Sequence, residues 1–203
     1  MKYLIFDFDG VLADTLETRH RAVQEIDQLT REETEQGADE YHSNSPHTRN
    51  HIISEVELQE WKTWMRKYGE LQNEYGFKLF HDFIDEIGKI KNANLAVVSS
   101  GSNVYIVPKL KTTKLFFTHI LTFEDHHSKE EKVEQIYKDW GITPKEAYFF
   151  TDTIGDIREL QNIMDKNKIY GCAWGYQGKE KLKEELDENH ILYNFLDIQK
   201  VWT

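Results

Sequence analysis

A short apolar run near the start of the chain ends in two carboxylates and a glycine. Residues 3–6 read Tyr-Leu-Ile-Phe, and Asp7, Asp9 and Gly10 follow. A continuous apolar run of this length is typical of a strand buried on both faces, as in a parallel sheet. Open α/β sheets bind ligands at the carboxyl ends of their strands, and Gly10 allows a sharp turn there. We therefore expect two acids at the ligand-binding edge of a sheet.

The two carboxylates repel each other at the end of a buried strand, so a positive partner is needed. A divalent cation meets this need, because Mg²⁺ prefers oxygen ligands. A strand that runs into an ordinary Asp-Gly turn accounts for the same residues without any ligand. The stretch alone leaves both interpretations open.

Apolar runs alternate with helical patterns in the second half of the chain. Further strands are predicted at residues 95–98, 119–122, 147–150, 168–173 and 191–195. The alternation predicts βαβ units and an α/β fold, a Rossmann-like parallel sheet with helices on both faces. Right-handed crossovers would bring the carboxyl ends of the strands to one edge. Pro108 leaves the conformation of residues 103–113 open.

Residues 16–78 show helical periodicity and no strand signal. One amphipathic helix is predicted from residue 16 to about Thr30, followed by a frayed helix end and loop over the acidic residues 31–44. A second helix is predicted to begin after Ser45-Pro46 and to end at Gly76.

The chain thus divides into two predicted parts. Residues 1–15 and 79–203 form an α/β core domain, and residues 16–78 form an inserted, all-helical cap. A length of 203 residues suits a core with one small module.

Composition excludes several classes of function. With 25 Lys+Arg against 36 Asp+Glu, the net charge is -11, which argues against a nucleic-acid or anionic membrane partner. The single cysteine, Cys172, rules out an internal disulfide. No signal peptide or run long enough to span a bilayer is visible, so a cytoplasmic protein is expected. We expect it to be a monomer or a homodimer.

Four polar clusters follow predicted strands or begin predicted helices. In chain order they are Asp7 with Asp9, Ser99-Ser100-Gly101, Lys129, and Asp152 with Asp156. Together they resemble the four signatures of the haloacid dehalogenase-like (HAD) superfamily, and the helical module lies where that family inserts a small cap. The resemblance covers residues 1–15 and about 79–203.

The resemblance implies a phosphatase that works in two steps. Asp7 is similar to the nucleophile that takes up the phosphoryl group, and Asp9 to the general acid and base. Mg²⁺ would be held by Asp7, by the main-chain carbonyl of Asp9 and by Asp152. Asp156 would bind the metal through water or orient the other ligands.

The resemblance also implies a phosphate site. The hydroxyl of Ser99 and the main-chain N–H groups of Ser100 and Gly101 would donate to phosphoryl oxygens. Lys129 would balance the charge of the phosphate and the carboxylates. Lys132 competes with Lys129 for this role, and Lys129 is preferred on the family's spacing.

Some residues depart from the pattern or extend it. Thr151 stands where the fourth signature usually has glycine before its first aspartate. Residues 172–176 resemble a segment of the phosphoglycolate phosphatase-like branch, without defining a substrate. The pair His126-His127 is interpreted as exposed loop residues, because adjacent side chains point in different directions.

Substrate selection is predicted to reside in the module, because caps usually select the leaving group in this family. We expect His47 and Arg49, in the loop 43–51, to contact the substrate, although an ordinary surface loop explains them equally well. The basic or titratable side chains that could face the substrate are Arg19, His20, Arg21, His47, Arg49 and His51.

The sequence therefore predicts a Mg²⁺-dependent phosphatase acting on a small phosphorylated metabolite. A sugar phosphomutase, which returns the phosphoryl group to the substrate, is the alternative within the same fold. A non-catalytic phospho-binding or assembly protein would need a damaged site, and each signature position carries a competent residue. Dehalogenation is disfavoured, because a halide leaving group needs no acid such as Asp9.

Overall fold

The protein is built around one six-stranded parallel sheet, in a computed structural model that describes residues 1–44, 49–51 and 53–201. In chain order the strands are β1 (Lys2–Phe6), β2 (Ala13–Asp14), β3 (Lys78–Leu79), β4 (Ala93–Val98), β5 (Phe117–Leu121), β6 (Ala147–Thr151), β7 (Ile169–Cys172) and β8 (Ile191–Leu192). The large sheet has the order β5-β4-β1-β6-β7-β8, and all its neighbouring strands are parallel. The predicted parallel α/β fold is confirmed.

Eight α-helices surround this sheet in the described part of the chain. They are α1 (Leu16–Asp27), α2 (Arg31–Asn44), α3 (Glu55–Tyr75), α4 (His81–Gly88), α5 (Asn103–Leu110), α6 (Lys129–Trp140), α7 (Ile154–Leu160) and α8 (Gly178–Leu182). Short 3-10 helices lie at Lys166–Lys168, Glu188–His190 and Phe195–Lys200. Helices α4 and α5 pack on one face of the sheet, and α6, α7 and α8 pack on the other.

Strand β1 occupies the middle of the sheet, between β4 and β6. Leu4, Ile5 and Phe6 are completely buried. Leu4 and Phe6 join the hydrophobic core on one face and Ile5 joins the core on the other, as the uninterrupted apolar run predicted. Phe6 stacks on Phe150 of β6 with ring centroids 4.8 Å apart. Burial contributes about 1.5–3 kcal/mol for each such side chain, so the strand that carries the two acids is firmly held.

Residues 31–44 form helix α2, and the predicted frayed end and loop are wrong. The carboxylate of Glu33 accepts hydrogen bonds from the main-chain N–H (2.8 Å) and the hydroxyl (2.7 Å) of Thr30, which caps the helix. Thr34 and Ala38, one turn apart, are buried. Capping and the burial of one face thus outweigh the polar composition. The preceding helix, α1, ends before Gln28, whose φ of 56° is left-handed.

Helix α3 begins at Glu55, where Ser54 and Glu57 form a capping box. The predicted start at Ser45-Pro46 lies outside the described residues. The predicted end is confirmed, because Gly76 caps the helix with a φ of 70°. No helix in the described part of the chain has both the length and the apolar character needed to cross a membrane.

Helix α5 includes Pro108, in the region that the sequence left open. Proline has no N–H to donate to the carbonyl of Val104. The side-chain amide of Asn73, on α3, donates to that carbonyl instead, at 3.0 Å. One turn earlier on α3, a Cβ atom at Gly69 would lie 2.8 Å from the Cβ of Val104, so glycine permits this close packing.

A two-stranded antiparallel sheet joins the ends of the helical segment, by which we mean residues 16–75. Ala13 and Asp14 of β2 pair with Leu79 and Lys78 of β3. Strands of two residues carry no periodicity, which explains why the sequence did not reveal them. The adjacency of the two ends is compatible with an inserted module, and the division into a core and a cap stays a prediction.

Candidate active site

The carboxyl ends of β1 and β6 bring together Asp7, Asp9 and Asp152. The two strands are neighbours, and their pairing continues into the loop, where the N–H of Asp7 donates to the carbonyl of Phe150 at 2.9 Å. At Gly10, which has a φ of 72°, a Cβ atom would lie 1.9 Å from Oδ2 of Asp152. Glycine is therefore needed at position 10 for two reasons. It adopts the left-handed backbone conformation, and it leaves room for the two loops to approach each other.

Lys129 lies between Asp7 and Asp156. It is the first residue of α6, and its Nζ is 2.6 Å from Oδ2 of Asp7 and 2.6 Å from Oδ2 of Asp156. Only 3% of Lys129 is exposed. Burial lowers the pKa of Lys129, but the charges of Asp156 and Asp7 outweigh burial and raise it above the usual value. Lys129 is therefore a permanent cation in contact with two carboxylates.

The carboxylates outnumber this ammonium group. Burial raises the pKa of Asp7 well above its usual value; Lys129 opposes this effect, whereas Asp156, Asp152 and Asp9 add to it. Burial also raises the pKa of Asp152 to about 7, although a hydrogen bond from the N–H of Tyr176 acts to lower it. Burial raises the pKa of Asp9 as well. The acids therefore leave an excess of negative charge that a further cation would relieve.

Asp9 is oriented by Tyr105, a residue that the sequence did not single out. The hydroxyl of Tyr105, on α5, donates to Oδ2 of Asp9 at 2.6 Å. The other carboxylate oxygen, Oδ1, is buried and accepts no hydrogen bond of ordinary length from the described residues. Because residues 103–113 had no predicted structure, nothing in the sequence indicated that Tyr105 would reach this edge.

The loop after β4 lies beside the same acids. Ser99 is completely buried, its hydroxyl is 3.5 Å from Oδ2 of Asp9, and it accepts the N–H of Gly101 at 2.9 Å. A Cβ atom at Gly101 would lie 2.0 Å from the hydroxyl of Tyr105, so glycine is needed here for close packing. Ser100, between them, is half-buried.

The two candidate lysines occupy different places. Lys132, completely buried, donates to the main-chain carbonyl of Ser99 at 2.6 Å. Burial, together with the charge of Lys129, lowers the pKa of Lys132 to about 7. Lys129 therefore contacts the acids, whereas Lys132 supports the loop after β4. The roles predicted for both stay predictions.

The donor chemistry suits Mg²⁺, because the side chains at this edge offer carboxylate oxygens, and one of them, Oδ1 of Asp9, accepts no hydrogen bond of ordinary length from the described residues. Oδ2 of Asp7 is in contact with Lys129, and Oδ2 of Asp152 accepts from the N–H of Tyr176 at 2.6 Å. Within the described ranges, no three His, Cys, Asp or Glu side chains are arranged as a ready-made metal site. The excess charge and the oxygen donors fit a divalent cation, and the ligand set stays a prediction.

Helix α2 contributes two aromatic side chains that the sequence did not identify. Tyr41 is hydrogen-bonded to the side chain of Ser100, and burial raises its pKa to about 12. The His42 ring lies 4.6 Å from the Tyr176 ring, and burial, followed by the charge of Arg19, lowers the pKa of His42 to about 3. The helical spacing of Thr34, Ala38 and Tyr41 was a signal for this helix face, hidden by the acidic residues around it.

The structure describes only one of the two predicted specificity residues, Arg49. His47 lies outside the described residues. Arg49 forms ion pairs with Glu130 (3.3 Å) and Glu134 (2.9 Å) of α6, and its N–H donates to Glu130 at 3.0 Å. These bonds hold Arg49 against α6, next to Lys129. A contact between Arg49 and substrate stays a prediction.

Comparison with known proteins identifies the family of the chain. Residues 4–164 match the sequence model of the haloacid dehalogenase-like hydrolase family. No curated protein matches the chain by sequence.

The fold is similar to that of several solved structures. A predicted phosphatase from Clostridium acetobutylicum is 18% identical with a TM-score of 0.69, over 98% of this chain and 96% of that one. A hydrolase from Pseudomonas syringae is 16% identical with a TM-score of 0.74, over 98% and 97%. A predicted phosphoglycolate phosphatase from Haemophilus somnus is 17% identical with a TM-score of 0.67, over 100% and 98%.

Proposed function

The chain belongs to the haloacid dehalogenase-like hydrolases, and from this premise we propose that it is a Mg²⁺-dependent phosphatase acting on a small phosphorylated metabolite. The observation that supports the proposal most is the contact of Lys129 with Asp7 at the carboxyl edge of the sheet, 2.6 Å long and almost completely buried. A buried carboxylate with a fixed cationic partner is suited to attack an anionic phosphate, because the cation offsets the repulsion between them.

In the first step, Asp7 attacks phosphorus. A bond forms between a carboxylate oxygen of Asp7 and phosphorus, the bond to the ester oxygen breaks, and the alcohol leaves. The N–H of Phe8 donates to Oδ1 of Asp7 at 2.6 Å, and Lys129 contacts Oδ2, so the carboxylate is held in one orientation. Bound Mg²⁺, held by Asp7, the main-chain carbonyl of Asp9 and Asp152, would neutralise charge on the phosphoryl group.

Asp9 supplies the proton that the leaving alcohol needs. Burial raises its pKa, which favours the protonated acid before the reaction. Tyr105 occupies Oδ2, which leaves Oδ1 to exchange a proton with the substrate. In the second step, the carboxylate of Asp9 takes a proton from the water that attacks the phosphorylated Asp7, and phosphate is released.

The loop after β4 and Lys129 are suited to bind the phosphoryl oxygens. The Ser99 oxygen accepts a hydrogen bond from Gly101, and its own proton, which makes a long bond of 3.5 Å to Oδ2 of Asp9, can turn to a phosphoryl oxygen. Ser100 adds a main-chain N–H group next to it, and the N–H of Gly101 would have to leave the Ser99 oxygen to donate to phosphate. Lys129 adds the positive charge that a chain of net charge -11 lacks elsewhere.

Short organic phosphates are the first candidates for the substrate, because one similar structure is described as a predicted phosphoglycolate phosphatase. A phosphomutase remains the second candidate, since the same phosphorylated Asp7 could return its phosphoryl group to the substrate. The cytoplasmic location and the monomeric or homodimeric state stay predictions from the sequence.

A phosphate-release screen tests the proposal. Purified protein is assayed with short organic phosphates, sugar phosphates and nucleotides, with Mg²⁺ or with EDTA, and Asp7→Asn is assayed in parallel. We expect Mg²⁺-dependent release that falls by at least about 10⁴-fold in Asp7→Asn, which keeps the shape of the side chain but is not nucleophilic. Isomerised product without free phosphate would indicate the mutase, and neither free phosphate nor isomerised product across the screen would indicate a non-catalytic protein.

A further inference from the structure

Arg19, a cation of the helical segment, has one side-chain nitrogen without a hydrogen-bond partner in the described part of the chain. It lies near the start of α1, where its N–H donates to the carbonyl of Thr15 at 2.8 Å. Its Nη1 atom is buried and makes no hydrogen bond with any described residue. A buried guanidinium nitrogen without a partner costs free energy, so an anionic group that satisfies it would be bound favourably.

The position of Arg19 relates it to the reacting groups. Its positive charge acts on Asp9 and on Tyr41 and His42 of α2. Arg19 therefore lies near both the proposed general acid and helix α2. A leaving group that takes its proton from Asp9 would extend into this space.

Two groups of α2 near Arg19, Tyr41 and His42, are neutral near pH 7. Burial raises the pKa of Tyr41 to about 12 and lowers that of His42 to about 3, so neither carries a charge there. Both still offer polar hydrogens or lone pairs. The guanidinium group of Arg19 therefore supplies the positive charge on this side of the site.

The other cations described near the site are already engaged. Lys129 contacts Asp7 and Asp156, Lys132 donates to Ser99, and Arg49 pairs with two glutamates of α6. Each of these groups would have to give up a bond in order to bind a ligand. Arg19 would give up none with a described residue.

We infer that Arg19 forms a second anion site, which binds a carboxylate or a phosphate carried by the leaving group of the substrate. The guanidinium fork suits both groups, since each can accept two parallel N–H bonds. The inference rests on the proposed function for the identity of the substrate, but the anion site itself can be tested without turnover. The inference narrows the candidate substrates to organic phosphates that carry a second negatively charged group.

The experiment measures binding by calorimetry in the Asp7→Asn chain, with Mg²⁺ present. One pair of ligands is phosphoglycolate and ethyl phosphate; the other is propanediol bisphosphate and propyl phosphate. We expect the doubly anionic member of at least one pair to bind about 10- to 100-fold more tightly, as one charge-assisted bidentate contact allows. The pair that shows the preference identifies the anion as a carboxylate or a phosphate.

Arg19→Met should abolish this preference. Arg21→Met is the matched control, because Arg21 lies on the same helix but is exposed and stacks on the Tyr75 ring at 3.9 Å. The control should keep the preference. If Arg19→Met does not fold by circular dichroism, Arg19→Gln, which keeps hydrogen-bonding capacity without charge, is judged by the same criterion.

The outcomes separate this inference from the proposed function. If Arg19→Met weakens both members of each pair equally, or changes neither, Arg19 only balances the acids and the inference is overturned. If the preference depends on Arg19 but the wild-type chain releases no phosphate from any ester, the anion site stands and the phosphatase proposal fails. Absence of any preference in the Asp7→Asn chain also overturns the inference.

Discussion

The carboxyl edge of the sheet and the helical segment both reach the candidate site, but they are held in different ways. Asp7 and Asp152 directly follow two paired central strands, whose side chains are buried on both faces. The helical segment packs on the rest of the protein through α3, whose Gly69 lies against Val104 of α5. On the side of α2 it is held by side-chain hydrogen bonds, from Tyr176 to Asp39 (2.9 Å) and from Arg158 to the carbonyl of Ser43 (2.9 Å). The difference suggests that the sheet holds the reacting groups while the helices adjust what is bound.

The largest effect is expected from Lys129→Met, which removes the cation from the sheet edge. Asp7 and Asp156 would both lose a buried partner, so the free energy of unfolding should fall by about 3–5 kcal/mol. Phosphate release should fall by at least about 100-fold, because charge stabilisation at the phosphoryl group is lost. Urea unfolding and steady-state kinetics measure the two effects.

Lys138→Met is the control, because Lys138 is an exposed lysine in the last turn of the same helix. Its effect on unfolding should stay within about 0.5 kcal/mol. Equal effects of the two substitutions would contradict the special position given to Lys129.

A smaller effect, visible as a pH dependence, is expected at Lys132. Its pKa is lowered from 10.5 to about 7 in the folded protein, mainly by burial. Between these two values the unfolded chain binds the proton and the folded chain does not, so stability should rise with pH. Relative to Lys132→Met, the wild type should gain up to about 1.4 kcal/mol per pH unit above the folded pKa.

Chemical unfolding at several pH values between about 7 and 10 measures this gain. A constant difference between Lys132→Met and the wild type across that range would show that Lys132 keeps an ordinary pKa. The pH profile of Lys138→Met should run parallel to that of the wild type.

The smallest effect is expected in the helical segment, from Tyr41→Phe. The substitution removes one hydrogen bond to Ser100 and keeps the ring, so kcat/KM should fall by roughly fivefold, the equivalent of about 1 kcal/mol. Separate values of kcat and KM should show the change mainly in KM. A loss of kcat/KM as large as that of Lys129→Met would contradict the distinction between the sheet edge, which holds the reacting groups, and the helical segment, which adjusts what is bound.

The same contrast explains what could be predicted from the sequence. Uninterrupted apolar runs identify buried parallel strands, and residues at their ends, such as Asp7 and Ser99, must meet at one edge. The parallel fold and family were therefore predictable. Which residues act in catalysis is still a prediction, supported by the contacts around Lys129.

The features that were not predicted depend on tertiary contacts, which a sequence pattern does not reveal. Helix α2 looked like a loop because its polar composition hid the buried Thr34 and Ala38. Tyr105 was missed because Pro108 made its helix uncertain, and the bond that tolerates the proline comes from Asn73 on another helix. The different environments of Lys129 and Lys132 arise from folding and not from their spacing.

The most direct test of the account is to look for a phosphoryl group on Asp7. An Asp9→Asn chain, which lacks the base that activates water, is mixed with Mg²⁺ and 4-nitrophenyl phosphate, whose leaving group departs without a proton from Asp9. The mixture is quenched in acid and analysed by peptide mass spectrometry. The account predicts one added phosphoryl group on the peptide that contains Asp7, and none in the Asp7→Asn chain. Phosphate release by the wild type with the phosphoryl group on another residue, or on none, would contradict it.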